Sequence, residues 1–427
     1  MRRYSQAVPH TAAPQGFFGW RVVGAAFVIA LFAWGIGFYG PPIFLGVLHA
    51  TRGWPVSLLS AAITVHFLCG AAVVACLGTL HRHYGVAGVT GAGALLTVVG
   101  LLGWGYAREP WQLFLAMPFG GAGWAMTSGA ALNAMVSPWF ERRRPVALGM
   151  AFNGASLGGV VFSPLWVALI AVAGFDGAVL AVALAMVATI GSLAWLYLRQ
   201  TPAALGVAPD GDTAPVALAG DPAPPVHAVA LDAPRRDRRF YTLALGASLG
   251  LFAQVGLVAH LFSMLVPVLG SGAAGAAMGL ATACAIGGRI LLGRLMSPLM
   301  DRRKAAAVNL GLQALGSVVL LGAGSSGAGM VLGCCLFGMG LGNVTSLPPL
   351  IAQADFRPAD VARVVAWVTA VGQAGYAFAP AAFGLLREWG AASGQGGLLL
   401  FLGAGLIQLA AAAVMLAGRA RRADAVG

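Results

Sequence analysis

Charge is what this sequence has least of. Only 9% of its 427 residues are charged, where a water-soluble domain carries about 25%, so the chain cannot coat itself for water. Lysine occurs once, at Lys304, and the 13 acidic residues all fall in loops or near the ends of apolar runs. The five cysteines, Cys69, Cys76, Cys284, Cys334 and Cys335, lie in apolar runs and make no CxxC pair. That argues against a zinc or redox centre and against a disulfide framework, and leaves them as small apolar residues. No GxxxxGK[ST] loop is present, so ATP does not drive this chain. HExxH, a paired acid and a nucleophile motif are also missing, which leaves a membrane-embedded enzyme without support. The start, MRRYSQAVPHTAAPQGFFGW, lacks the short apolar core and cleavage site of a signal peptide. No alternating ten-residue pattern recurs, as a membrane β-barrel would require. No metal and no cofactor is expected.

What the chain does have is apolar length. Hydrophobic residues make up 59%, and roughly 20 in a row can cross a bilayer as a helix. Twelve such runs are read at 19–41, 55–79, 85–106, 111–137, 146–172, 177–198, 241–267, 272–297, 305–324, 327–351, 362–386 and 394–417. Glycine and proline within them do not exclude helix in a membrane, and the 62 glycines suit close helix packing. The fold class is therefore an all-α membrane protein of twelve helices.

The arginines orient the runs. With the N-terminus inside, inner segments carry 21 of the 25 basic residues and outer loops carry 3, Arg52, Arg108 and Arg387. This is a positive-inside pattern, and it explains the net charge of +12 with no nucleic acid. Both ends are expected in the cytoplasm of a cell membrane of the bacterial inner-membrane kind. Residues 199–240, rich in Pro, Ala and Asp, read as a flexible cytoplasmic linker. The expected organisation is a tail over 1–18, a six-helix half over 19–198, the linker, a second six-helix half over 241–417, and a tail over 418–427.

Two six-helix halves around a long central loop resemble the major facilitator superfamily. GWRVVGAAFV (19–28), SPWFERRRPVALGMAFNGASLGG (137–159), TPAALGVAPDGD (201–212) and HLFSMLVPVLG (260–270) are similar to its monocarboxylate-transporter-like and oxalate–formate-antiporter-like members. The loop GTLHRHYG (78–85) departs from the superfamily's GxxxD(R/K)xG, with Arg82 where the acid is expected. GRLMSPLMDRR (293–303) keeps Asp301 and Arg302. The resemblance gives these three a gating role.

Arg289 is the one basic residue that topology does not explain. Upstream of it, residues 271–288 carry no charge, and Asp301 to Lys304 read as a water-facing loop that ends helix eight. Twelve residues at about 1.5 Å each put Arg289 about 18 Å from Asp301, too deep to snorkel as Arg294 can. An arginine in a membrane span suggests function. It faces either a water-filled cavity between the halves or a neighbouring helix, as a strut to backbone carbonyls. The resemblance matches RILLG to the helix-eight arginine of monocarboxylate transporters, whose fork of donors suits a carboxylate. The acid often found one turn earlier is Ala285 here.

No mid-span acid is placed to carry a coupling proton, so His260 and His66 are the titrating candidates. Asn153, Gln373 and Tyr376 are candidate cavity residues, and Tyr39 and Trp34 could pack on a solute. The expected function is a secondary transporter, a symporter or antiporter, moving a small organic anion by alternating access. The alternative is an exporter of a neutral or cationic toxic solute with a structural Arg289. The expected partners are the solute and the lipid bilayer, and a monomer is expected.

Overall fold

A computed structural model describes residues 16–211, 237–296, 300–395 and 397–419. Most of the linker and of the two tails therefore lies outside the described residues. The described chain is helical, with no strand among those residues. Span one is α1 (Phe18–Gly37) followed by α2 (Gly40–Arg52). It outruns its predicted end because Pro41 and Pro42 sit in the first turn of α2, where proline starts a helix rather than stopping one. Spans two and three are one helical stretch, α3 (Val56–Tyr106). Span four is α4 (Pro110–Thr127) and α5 (Gly129–Val136), and spans five and six are α6 (Arg144–Leu193).

The second half follows the same plan. Spans seven and eight are α7 (Arg238–Leu295) and span nine is α8 (Arg302–Gly322). Span ten is α9 (Gly327–Leu341) and α10 (Asn343–Asp355). Span eleven is α11 (Pro358–Ala377) and α12 (Ala379–Ala392), and span twelve is α13 (Leu398–Ala417).

Eight continuous stretches are long and apolar enough to cross a membrane. Three of them fold back on themselves at a single glycine. Gly85 turns at φ 70°, ψ 164°, and Gly174 and Gly270 do the same within a few degrees. Essentially only glycine occupies this backbone region. The connection expected around GTLHRHYG is thus not a loop: Arg82 lies on helical backbone, exposed and bonded to Thr79 of its own helix.

Helix ends at the arginine-rich side are fastened by carboxylates. In the first half, Asp210 accepts the backbone N–H groups of Glu141, Arg142 and Arg143 at 3.1, 2.8 and 3.2 Å. Those amides lead into α6, where the helix dipole favours an anion. The opening of the linker, Thr201 to Gly211, is therefore docked on the protein rather than extended. Desolvation pushes the pKa of Asp210 up, but the amides of Arg142, Arg143 and Glu141 and the Arg142 guanidinium outweigh it and hold the carboxyl below its usual range.

In the second half, Asp301 does not end helix eight. It caps the start of α8, accepting the N–H groups of Arg303 and Lys304, while helix eight has already stopped at Leu295. Nor does Arg303 face water: it is 3% exposed. Its guanidinium reaches Asp355 at 2.7 Å, the Thr242 hydroxyl at 3.0 Å and the backbone oxygens of Arg239 and Met415. A buried guanidinium needs this many acceptors to repay its lost hydration.

Candidate functional site

The site is built where helices break. Besides span four, broken at Ser128, three spans are interrupted: one at Phe38–Tyr39, ten at Gly342 and eleven at Phe378. Interrupted membrane helices leave backbone groups free, and transporters use them near the bilayer midplane. The three breaks, together with span eight, gather around the junction of the halves.

Arg289 projects from span eight toward the break in span ten. Its Nη2 donates to the Gly342 backbone oxygen at 3.3 Å, longer than a good N–H···O bond of about 2.9–3.0 Å. The approach is set by glycine: Gly288 has no room for a Cβ against the Met339 carbonyl, and a Cβ on Gly342 would meet the Arg289 guanidinium at 2.7 Å. Arg289 Nε is buried with no hydrogen-bond partner, and no carboxylate among the described residues pairs with the side chain. The arginine is also nearer its helix end than its distance from Asp301 suggested, because six residues separate it from Leu295, about 9 Å of helix. It nonetheless turns inward.

Tyr39 stands at the break of span one. Its phenol lies beside the Thr282 hydroxyl of span eight and within electrostatic reach of Arg289. Gly159 of span five makes room for both: a Cβ there would press on Thr282 and Tyr39. Tyr39, Thr282 and Arg289 thus share one wall across the junction. Tyr376 joins the junction from the other side, its ring 5.5 Å from Phe67 of span two. Gln373, one turn earlier on α11, is half-buried, and Asn153 on span five is exposed. Trp34 packs edge-on to Trp124 at 4.8 Å.

The two histidines separate. His260 is fully buried in the contact between the halves, with Nε2 3.1 Å from the Pro380 backbone oxygen and 3.5 Å from the Ser60 hydroxyl. It meets protein groups here rather than open space. His66 is packed inside the first half against Gly120 and the rings of Phe67 and Trp124, and it does not reach the second half.

Sequence reasoning missed the ties that close the junction. The Ser57 N–H donates to Glu388 at 2.8 Å, and the Ala381 N–H donates to the Thr64 hydroxyl at 3.2 Å. With Ser60–His260, these bonds lie at the end away from the arginine clusters. Arg52, bonded to the Gly105 oxygen, and Arg387, bonded to Ser263, occupy that same end. The only signal in the sequence was the position of Ser57 in the first turn after Pro55, where a helix start has N–H groups to satisfy. Of the three expected gating residues, Asp301 pairs with Arg419, Arg302 donates to the Leu350 oxygen within its own half, and Arg82 touches only Thr79.

Paired six-span halves meeting at broken helices, around an unpaired arginine, define a multi-pass membrane transporter fold. Solved structures agree on the fold. A bacterial homologue of the human lysosomal transporter Spinster superposes with a TM-score of 0.74 at 14% identity, covering 96% of this chain and 100% of that one. The nucleoside transporter NupG superposes with a TM-score of 0.71 at 12% identity, covering 94% and 100%.

The family model of the Major Facilitator Superfamily matches residues 22–380, and the chain belongs to that superfamily. Its curated relatives include monocarboxylate transporter 11 of Mus musculus, 29% identical over 55% of this chain and 49% of that protein. Monocarboxylate transporter 13 of Bos taurus is 30% identical over 44% and 45%. Monocarboxylate transporter 11 of Homo sapiens is 28% identical over 78% of this chain and 69% of that one. The chain thus spans about half the length of the first two of these relatives. These relatives and the fold are those of transporters, not of enzymes.

Proposed function

We propose that this protein is a secondary transporter that carries a small organic anion, docking its carboxylate on Arg289. The observation that carries the reading is the buried, unpartnered Nε of Arg289 beside one long bond to Gly342. A half-buried guanidinium with a buried donor to spare, among apolar helices, is costly until an anion completes it. The planar fork fits a carboxylate, and the names of the curated relatives point to the same chemistry. No observation favours the neutral-solute exporter.

The way the halves are tied supports alternating access. Bonds of Ser57, Ser60 and Thr64 to Glu388, His260 and Ala381 close one end, and these must part for the site to face that side. With the arginine clusters facing the cytoplasm, that closed end is the outer one, and both termini are cytoplasmic. His260 then acts on closure of the junction, through its contact with Ser60 across the halves, rather than on the solute.

The test is solute uptake by proteoliposomes at matched protein abundance. Arg289→Ala should lose transport, corresponding to about 2–5 kcal/mol of a truncated charge pair. Arg289→Lys, which keeps the charge but not the fork, should fall between. Normal transport by Arg289→Ala would overturn the proposal.

A further inference from the structure

Beyond the carboxylate, the junction holds a second kind of surface. Six aromatic rings run through it in continuous contact. Trp34 meets Trp124 edge-on at 4.8 Å, and Trp124 stacks on Phe38 at 6.4 Å with 21° between planes. Phe38 lies 6.2 Å from Phe67 and 5.1 Å from Tyr39, and Phe67 meets Tyr376 edge-on at 5.5 Å. These separations lie within the range of about 4.5–7 Å in which rings attract.

The arc has three ends; Trp34 stays in the first half, and the other two touch the second. Tyr39 lies beside Thr282 and Arg289, and Tyr376 belongs to span eleven. The arc therefore lines the junction rather than the interior of one half. Phe67 and Trp124 are buried and form its backing. Trp34, Phe38, Tyr39 and Tyr376 are only half-buried and keep ring surface uncovered. None of the six bears charge, and Arg289 turns inward beside one end of the arc.

We propose that the junction selects monocarboxylates whose carboxylate is carried on an aryl or similarly flat apolar group. This rests on the reading of Arg289 as the carboxylate site. The carboxylate takes the guanidinium while the apolar body lies along the half-buried rings, leaving water to neither. A short acid such as acetate offers the arc almost nothing to cover. A dicarboxylate such as oxalate brings a second charge that the uncharged rings beside Arg289 cannot pair, and burying it unpaired is costly.

The experiment is ligand binding by the purified full-length protein, read as the shift in its unfolding midpoint with added acid at pH 7.5. The probes are benzoate, phenylacetate, acetate, lactate and oxalate. Benzoate and phenylacetate are expected to bind about 10- to 100-fold more tightly than acetate or lactate, the gain from covering one ring. Their binding should be lost in Arg289→Ala. In Phe38→Ala and Trp34→Ala the preference for aryl over short acids should shrink, read as a ratio within each variant.

Acetate and lactate binding as tightly as the aryl acids, and losing that binding in Arg289→Ala, would overturn this inference and leave the carboxylate site standing. If no acid distinguishes wild type from Arg289→Ala, the carboxylate site falls and this inference with it. Should the aromatic variants fail to fold, the ratio in the wild-type protein alone decides.

Discussion

In the first half, the arginines Arg142, Arg143 and Arg144 crowd the start of α6, and what holds that corner is a single carboxylate, Asp210, gripping backbone N–H groups. In the second half an arginine is itself the fastener. Arg303 is sunk among spans seven, ten and twelve and bonded to Asp355, Thr242 and two backbone oxygens. The first arrangement leaves its guanidinium groups at the surface: the Arg142 side chain is 70% exposed. The second removes one from water altogether. Arginines at two corners thus serve two purposes, a charge facing solvent in one and a structural hub in the other.

The largest expected effect comes from the hub. Arg303→Ala strands Asp355 and removes a buried partner, and it should cost about 3–5 kcal/mol, read as a lower unfolding midpoint of the purified protein. A midpoint equal to wild type would erase the contrast between the halves. Asp210→Ala should act locally. Amide exchange should quicken over residues 201–211 and at the start of α6, with a smaller change in midpoint than Arg303→Ala gives. An equal loss of midpoint would mean that both corners are hubs.

Acid sharpens the comparison. At Asp301 burial raises the carboxyl, but the Arg419 side chain and the amides of Lys304 and Arg303 outweigh it and hold the group low, as happens at Asp210. A folded-state value below the unfolded one means stability that is present above about pH 3.9 and lost as pH falls through the lowered value. Protection of both corners should therefore stay flat from neutral pH down to about 5 and fail only below about 4. Loss near pH 6 would implicate a different group. The smallest effect belongs to the exposed pair: Arg419→Ala, which frees one side of Asp301, should cost about 0–1 kcal/mol.

The spans were legible because a membrane demands long apolar runs, and the side of each basic cluster was legible because charge cannot be hidden at such density. Arg289 stood out for the same reason. Arg303 did not, since nothing in DRRK separates a buried arginine from its exposed neighbours; only the placement of Asp355, some fifty positions on, decides it. Nothing in the linker-like run 199–240 foretold that the Asp210 carboxylate would reach back to residue 141. The junction bonds of Ser57 and Thr64 were unreadable because they depend on how two halves meet, and no periodicity records that. His66 and His260 looked alike in sequence, and the tertiary packing alone set one inside a half and the other between halves.

The single-residue turns at Gly85, Gly174 and Gly270 leave no slack between the spans they join. A reporter, epitope or protease site inserted there would have to pry apart two packed helices, so these three points should reject insertions. For anyone mapping topology or engineering a sensor from this chain, the usable seams are few and already marked by which connections lack a one-glycine reversal.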